Sequence, residues 1–174
     1  MSRIEKNKGY DTFLKAIKEL VDQEKIKNEK FLVVGGGAEE DKFNELVKKL
    51  NLKDYLEIRN MVSQEELINI YNSLDIFVFP TRRKSESLGL VGLEAMACET
   101  IVISSDAKGP MSYVKNKKNA YVFKQGDSKS LVDVINTVTG LDTNDIDKIK
   151  AGALSTAEEY DSTNMDDILY KVFR

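Results

Sequence analysis

The 174-residue sequence contains no histidine and a single cysteine. Without His, imidazole acid/base relays, a Ser-His-Asp triad and His-containing zinc sites are excluded, and one thiol cannot build an all-cysteine cluster. No metal site is expected. Cys98 cannot form a disulfide within the chain, which agrees with a reducing, cytoplasmic address. Long apolar runs are also lacking: none approaches the roughly 20 residues that cross a bilayer, and the first residues have no apolar signal-peptide core. No membrane-spanning helix is expected. Nor does one sign of charge dominate, because 26 basic and 29 acidic residues leave a formal charge of -3 and a pI near 5.2. The balance is +2 over residues 1–30, zero over 31–126 and -5 over 127–174. Nucleic-acid binders usually carry a large basic excess, and only Arg82, Arg83 and Lys84, or Lys115, Lys117 and Lys118, come near one. Both groups read as solvated loops, so no nucleic-acid partner is expected. No G-K-[ST] triplet occurs, which excludes a Walker A phosphate loop.

What is present is a regular alternation. The length suits one domain, which buries roughly 70% of its unfolded surface. Residues 10–28 read as an amphipathic helix, with Phe13, Leu14, Ile17, Leu20 and Val21 on one face. Phe31 to Val34 is a short continuous apolar run closed by Gly35, Gly36 and Gly37, the pattern of a parallel strand buried on both faces. A helix follows over 39–50, then a strand over 55–58. Ser63 and Glu66 have the capping-box spacing that opens a helix through Tyr71. Strands are expected at 76–79, 101–103 and 121–123, with helices at 90–98 and 110–115. Beyond Ser128 the pattern is helical only, in up to three segments.

Each parallel return needs a crossover, so this alternation predicts an α/β fold: a Rossmann-like parallel sheet with helices on both faces. A doubly wound sheet normally begins on a strand, whereas this sequence opens on a polar stretch leading to a helix. A preceding strand is expected to be missing.

Gly35, Gly37 and Glu40 give G-x-G-x-x-E, short of the dinucleotide fingerprint by its third glycine, so a tight strand-to-helix turn is the better reading. More informative is ESLGLVGLEAMAC, which follows the 76–79 strand and its loop. Glu86 falls in that loop and Glu94 within the helix, so two carboxylates flank a helix N-terminus whose free N–H groups favour negative charge. A phosphate could sit there, with Glu94 accepting from ribose hydroxyls and Glu86 from a sugar. Glu94 lies among Val91, Leu93, Ala95 and Ala97, and a carboxylate in such company needs a partner.

These residues, preceded by NIYNSLDIFVFPT, resemble the donor-binding C-terminal half of GT-B retaining glycosyltransferases of group 1 (family 4-like). The resemblance runs from Arg3 to the terminal helix through Lys8-Gly9, FLVVGGGAEED, SQEELINIYNSLD, VFPT and the E(x7)E pair. It implies a single nucleotide-sugar-binding domain over 1–174, a fragment of a two-domain enzyme whose N-terminal domain holds the acceptor and would carry any membrane association. It further implies that Arg3 and Lys8 contact the donor pyrophosphate, Glu86 the transferred sugar and Glu94 the ribose. Leu88, Gly89 and Leu90 would present backbone N–H groups, Asn60, Met61 and Val62 would run along the base, and Gly36 and Gly37 would line the same cleft. No cofactor or metal is implied.

Departure of a nucleoside diphosphate needs only fixed cations and helix N–H groups, so the lack of His is no obstacle. A sugar-nucleotide epimerase half-domain fits less well, because such an enzyme is expected to bring acid/base residues, often including His, and a non-catalytic nucleotide-binding or scaffold module is the other alternative. The chain departs from the family at Cys98-Glu99-Thr100-Ile101, where Gly and Pro are usual, which puts Glu99 in left-handed geometry. An acidic residue common near Ser112 is absent, and Ala120 replaces a usual Gly, so the identity of the sugar is the least determined feature.

Overall fold

Short apolar runs pair as parallel strands here because the amphipathic stretches between them supply the crossovers. The computed structural model describes residues 4–83 and 88–161. Arg3, Lys84 and Glu86 lie outside the described residues, as does the third helical segment expected near the C-terminus. Within them are β1 (Phe31–Val34), β2 (Leu56–Arg59), β3 (Ile76–Phe79), β4 (Ile101–Ser105) and β5 (Tyr121–Phe123). The helices are α1 (Tyr10–Asp22), α2 (Glu40–Lys49), α3 (Gln64–Ser73), α4 (Leu90–Ala97), α5 (Ser128–Thr139) and α6 (Thr143–Glu159). Among the described residues, no helix is long and apolar enough to cross a membrane.

All three strand pairs are parallel, β1 with β2, β3 with β4 and β4 with β5. β4 is buried along its whole length. Successive side chains point to opposite faces, so Ile101 and Ile103 join Ala16 and Leu20 of α1 and Leu131, Val132 and Ile135 of α5. Val102 faces the other way, toward Leu67 and Tyr71 of α3, Leu93 and Met96 of α4 and Ala153 of α6. Helices therefore cover both faces. A third cluster packs Leu14 and Ile17 of α1 on Phe43 and Val47 of α2, beside β1.

The sheet is in two parts, β1-β2 and β3-β4-β5. Between them lies a cavity of about 860 Å³, with Phe31, Leu32, Val33 and Val34 on one side and Ile76, Phe77, Val78 and Phe79 on the other. Among the described residues, neither of these edges is paired across the cavity.

Several boundaries differ from the sequence expectation. α1 ends at Asp22 instead of reaching residue 28: Glu24 takes left-handed geometry (φ 54°), and the Lys25 N–H turns back to the Leu20 carbonyl at 3.0 Å. That is a Schellman stop, and only Ile26 offers an apolar residue beyond it. The same device ends α2 at Asn51 and α4 at Glu99, both left-handed. Leu52 then donates to Val47, and Thr100 to Ala95, each at 3.1 Å. The strand expected at 55–58 runs Leu56–Arg59, the one at 101–103 extends to Ser105, and the helix at 110–115 is a single 3-10 turn, Pro110–Ser112.

A non-glycine residue in left-handed geometry costs about 1–2 kcal/mol. Glu99→Gly is therefore expected to stabilise the domain by about 1 kcal/mol and raise Tm by roughly 2–4 °C, measured by thermal melting. Hydrogen exchange should be slowest at β4 and clearly faster at β1 and β3, whose edges face the cavity.

Candidate functional site

In a parallel sheet every strand delivers its following loop to the same end. The sequence candidates fall into two groups there. In the first, the Ile4 N–H donates to the Gly36 carbonyl at 3.0 Å, and a Cβ at Gly37 would lie 3.1 Å from the Ile4 backbone. The chain then makes a 3-10 turn, Lys6–Lys8, and reaches Gly9, whose φ is 78° and where a Cβ would stand 1.9 Å from the Pro80 carbonyl oxygen. Residues 4–9 thus bridge the ends of β1 and β3. Lys8, half-buried on this bridge, lines the cavity between the two sheets. Glu39 fixes the bridge from below: its carboxylate accepts from the Lys6 N–H and from Lys42 Nζ, and these two bonds hold it below the usual carboxylate range.

Arg82 does not sit in a solvated loop, as its sequence suggests. Its Nη2 bonds the Lys6 carbonyl at 2.7 Å and pairs with Asp11, while its backbone N–H donates to the Asn7 carbonyl at 2.7 Å. The guanidinium straps the Lys8 turn to the loop after β3. The base of that loop is held in turn by Ser105, whose hydroxyl donates to the Thr81 carbonyl at 2.6 Å.

The second group surrounds α4. Val62 and Leu88 pack against the cluster that includes Tyr71 and Leu93. Gly89 begins the helix with φ 78°, and a Cβ there would lie 2.6 Å from the Phe79 ring. Among the described residues, no side chain caps α4, in contrast to α3, α5 and α6, which are capped by Ser63, Asp127 and Asp142. Among the described residues, the helices that start uncapped are α1, α2 and α4, beginning beside Lys8-Gly9, Gly36-Gly37 and Gly89 respectively. Leu90 and Met61 are apolar yet 63% and 64% exposed, and Asn60 is also exposed.

Glu94 is the one charged residue of α4. It is half-buried, and its Oε2 accepts a hydrogen bond from Tyr71 Oη at 3.1 Å. Burial, and then the Glu94 charge, push the Tyr71 hydroxyl far above its ordinary range. Burial also raises the Cys98 thiol, with Glu94 adding to the effect. Among the described residues, no three of His, Cys, Asp and Glu converge as metal ligands would.

Sequence reasoning missed Tyr71, Tyr113 and Arg82. Tyr71 was readable only as an apolar-face residue four after Leu67, because nothing local ties it to a carboxylate 23 positions on. Tyr113 packs in the same cluster as Tyr71, and its hydroxyl donates to the Gly89 carbonyl at 3.0 Å, while a Cβ on Gly92 would lie 2.2 Å from the Tyr113 hydroxyl oxygen. Arg3 and Glu86 lie outside the described residues.

Arg82→Ala should cost about 2 kcal/mol, because a charge-assisted bond is lost and Asp11, 15% exposed, loses its partner; denaturant unfolding measures this. A Tyr71 hydroxyl that stays neutral when folded, while the unfolded chain ionises above the ordinary 10.0, gives stability that is complete below pH 10 and falls above it. Tyr71→Phe should flatten that alkaline loss, and in the unsubstituted protein Tyr71 should ionise only on unfolding, read by tyrosinate absorbance.

The family model for glycosyl transferases group 1 matches residues 1–150. The capsular polysaccharide biosynthesis glycosyltransferase CapM of Staphylococcus aureus is 32% identical over 141 residues, 78% of this chain and 34% of CapM. The chain thus spans about a third of that relative. Among solved structures, HepE of Anabaena, in complex with UDP-glucose, superposes with a TM-score of 0.86 at 20% identity, over 99% of this chain and 47% of HepE. The C-terminal domain of the group 1 family protein LpcC of Francisella tularensis gives a TM-score of 0.75 at 24% identity, over 91% of this chain and 82% of that one. The fold is that of GT-B C-terminal domains, and the chain belongs to the glycosyl transferases group 1 family.

Proposed function

We propose that this chain is the nucleotide-sugar-binding domain of a retaining glycosyltransferase, whose acceptor-binding N-terminal domain lies outside the 174 residues. The observation that carries the reading is the start of α4: a helix N-terminus formed on Gly89 and uncapped among the described residues, with the half-buried Glu94 one turn further along. Free N–H groups at such a terminus bind a phosphate well. Glu94 takes the ribose hydroxyls, Leu88, Gly89 and Leu90 supply the N–H donors, and Asn60, Met61 and Val62 run beside the base. The uncapped starts of α1 and α2 add favourable potential where Lys8, Gly36 and Gly37 meet the pyrophosphate.

In the transfer itself, the bond from the anomeric carbon to the leaving phosphate oxygen breaks, and charge collects on the diphosphate. Lys8, Arg3 and the helix N–H groups stabilise that charge, while Glu86 holds the sugar. The acceptor hydroxyl bonds to the anomeric carbon from the face the phosphate leaves, and its proton passes to the leaving phosphate, so configuration is retained. No metal, cofactor or protein nucleophile takes part. The reaction belongs to the cytoplasm, where nucleotide sugars are the donors, and contact with a membrane is made through the acceptor domain. CapM, a relative by sequence, is named for capsular polysaccharide biosynthesis, and a glycan acceptor is the corresponding proposal here.

Without the acceptor domain the chain should bind nucleotide and transfer little or no sugar. Calorimetric titration of the folded chain with UDP, GDP and ADP should give saturable heat for one of them, with a Kd on the order of 10 μM to 1 mM. Saturable binding of none would overturn the proposal.

A further inference from the structure

Glu94 poses a local problem that α4 alone does not solve. The helix is otherwise apolar, and Gly92, Leu93, Ala95 and Met96 on either side of the glutamate are buried. A flexible carboxylate in that setting has several rotamers to choose from, and ordering it costs conformational entropy. The only hydrogen bond to it among the described residues comes from the neighbouring helix α3, where Tyr71 Oη donates to Oε2 at 3.1 Å.

Tyr71 is itself held firmly. Its side chain is 2% exposed, its ring meets Phe77 edge to face at 5.5 Å, and its backbone carbonyl accepts from Thr100 Oγ1 at 2.8 Å. A phenol fixed in this way gives the carboxylate one direction. A carboxylate has about four acceptor positions, so the bond from Tyr71 leaves Oε1 and the rest of Oε2 to accept from a ligand.

We infer that Tyr71 is a positioning residue that aims Glu94 at two neighbouring hydroxyl groups, and so makes the site selective for nucleotides with an intact ribose diol. This rests on the reading of α4 as the nucleotide site. It goes further by assigning the selectivity to a residue that does not itself touch the ligand. Burial keeps the phenol protonated across the physiological pH range, so Tyr71 remains a donor there.

The test uses the 174-residue chain and titrates UDP, GDP and ADP, each against its 2′,3′-dideoxy form. Each hydrogen bond to a charged acceptor contributes roughly tenfold to binding. The unsubstituted protein should therefore prefer the ribose form at least about tenfold. In Tyr71→Phe that preference should fall to about twofold or less, with affinity for the dideoxy form unchanged within about twofold. A role confined to folding would weaken both forms alike and leave the ratio as it was. 4-Aminophenylalanine at position 71, which can donate, should restore the preference, and 4-fluorophenylalanine, which fills the same volume without donating, should not. This second pair carries the test if Tyr71→Phe is too unstable to titrate. A full ribose preference in the non-donating variants overturns the inference alone. Failure of the unsubstituted chain to bind any of the three diphosphates overturns the site reading, and the inference with it.

Discussion

A carboxylate on an apolar helix must be paired or left within reach of water, since burying it bare costs several kcal/mol. α4 does both for Glu94. One oxygen is paired with Tyr71, and the side chain remains half exposed. The rest of the site follows from that compromise. α4 has to lie close enough to α3 for a 3.1 Å bond, and the shared cluster of Leu67, Tyr71, Leu93, Met96 and Val102 sets that distance. Val102 belongs to the fully buried strand β4, whose alternate residues fix the helices on the opposite face as well. The position of one charged group is thus tied to packing through the whole three-stranded sheet.

The second part of the site is built differently. Residues 4–9 have no sheet of their own; they are held by the Gly36 carbonyl, by close approach to Pro80, by Glu39 and by Arg82. Charge therefore serves structure here before it serves a ligand. Arg82 is engaged by Asp11 and the Lys6 carbonyl, so its charge holds the bridge in place. Gly9 is required twice over, by its left-handed backbone and by the Pro80 carbonyl that leaves no room for a Cβ.

The fold was largely legible in the sequence. A run such as Phe31 to Val34 closed by glycines has few other readings, and the Ser63–Glu66 spacing forms the expected cap at 3.2 Å. Even the strain at Glu99 was visible, because a helix stop that lacks its usual Gly still has to turn. Boundaries were less legible. α1 stops at Glu24 through a backbone bond to Leu20 that periodicity cannot register. In the site, Glu94 stood out because it broke an apolar pattern, whereas Tyr71 and Tyr113 fitted theirs and so looked like packing alone. A hydroxyl that bonds across 23 or 24 residues leaves no local trace. Arg82 misled for the converse reason: three consecutive basic residues look solvated until Asp11, 71 positions away, is folded against one of them.

These differences imply two kinds of rigidity within one site. The α4 side rests on a continuous core, so its geometry should be set before any ligand arrives. The Lys8 side rests on a few hydrogen bonds at the rim of a cavity that separates two sheets, and contacts of that kind open at lower free energy than a packed strand does. A diphosphate lying across both would meet fixed N–H donors first and a more adjustable cation second. Electrostatic stabilisation of a leaving group is strongest when the dipoles need no reorganisation, so in the proposed reading the fixed N–H donors of α4 suit the phosphates and Glu94 the ribose. On the same reading, the positive ends of α1, α2 and α4 give the diphosphate a favourable field as charge collects on it.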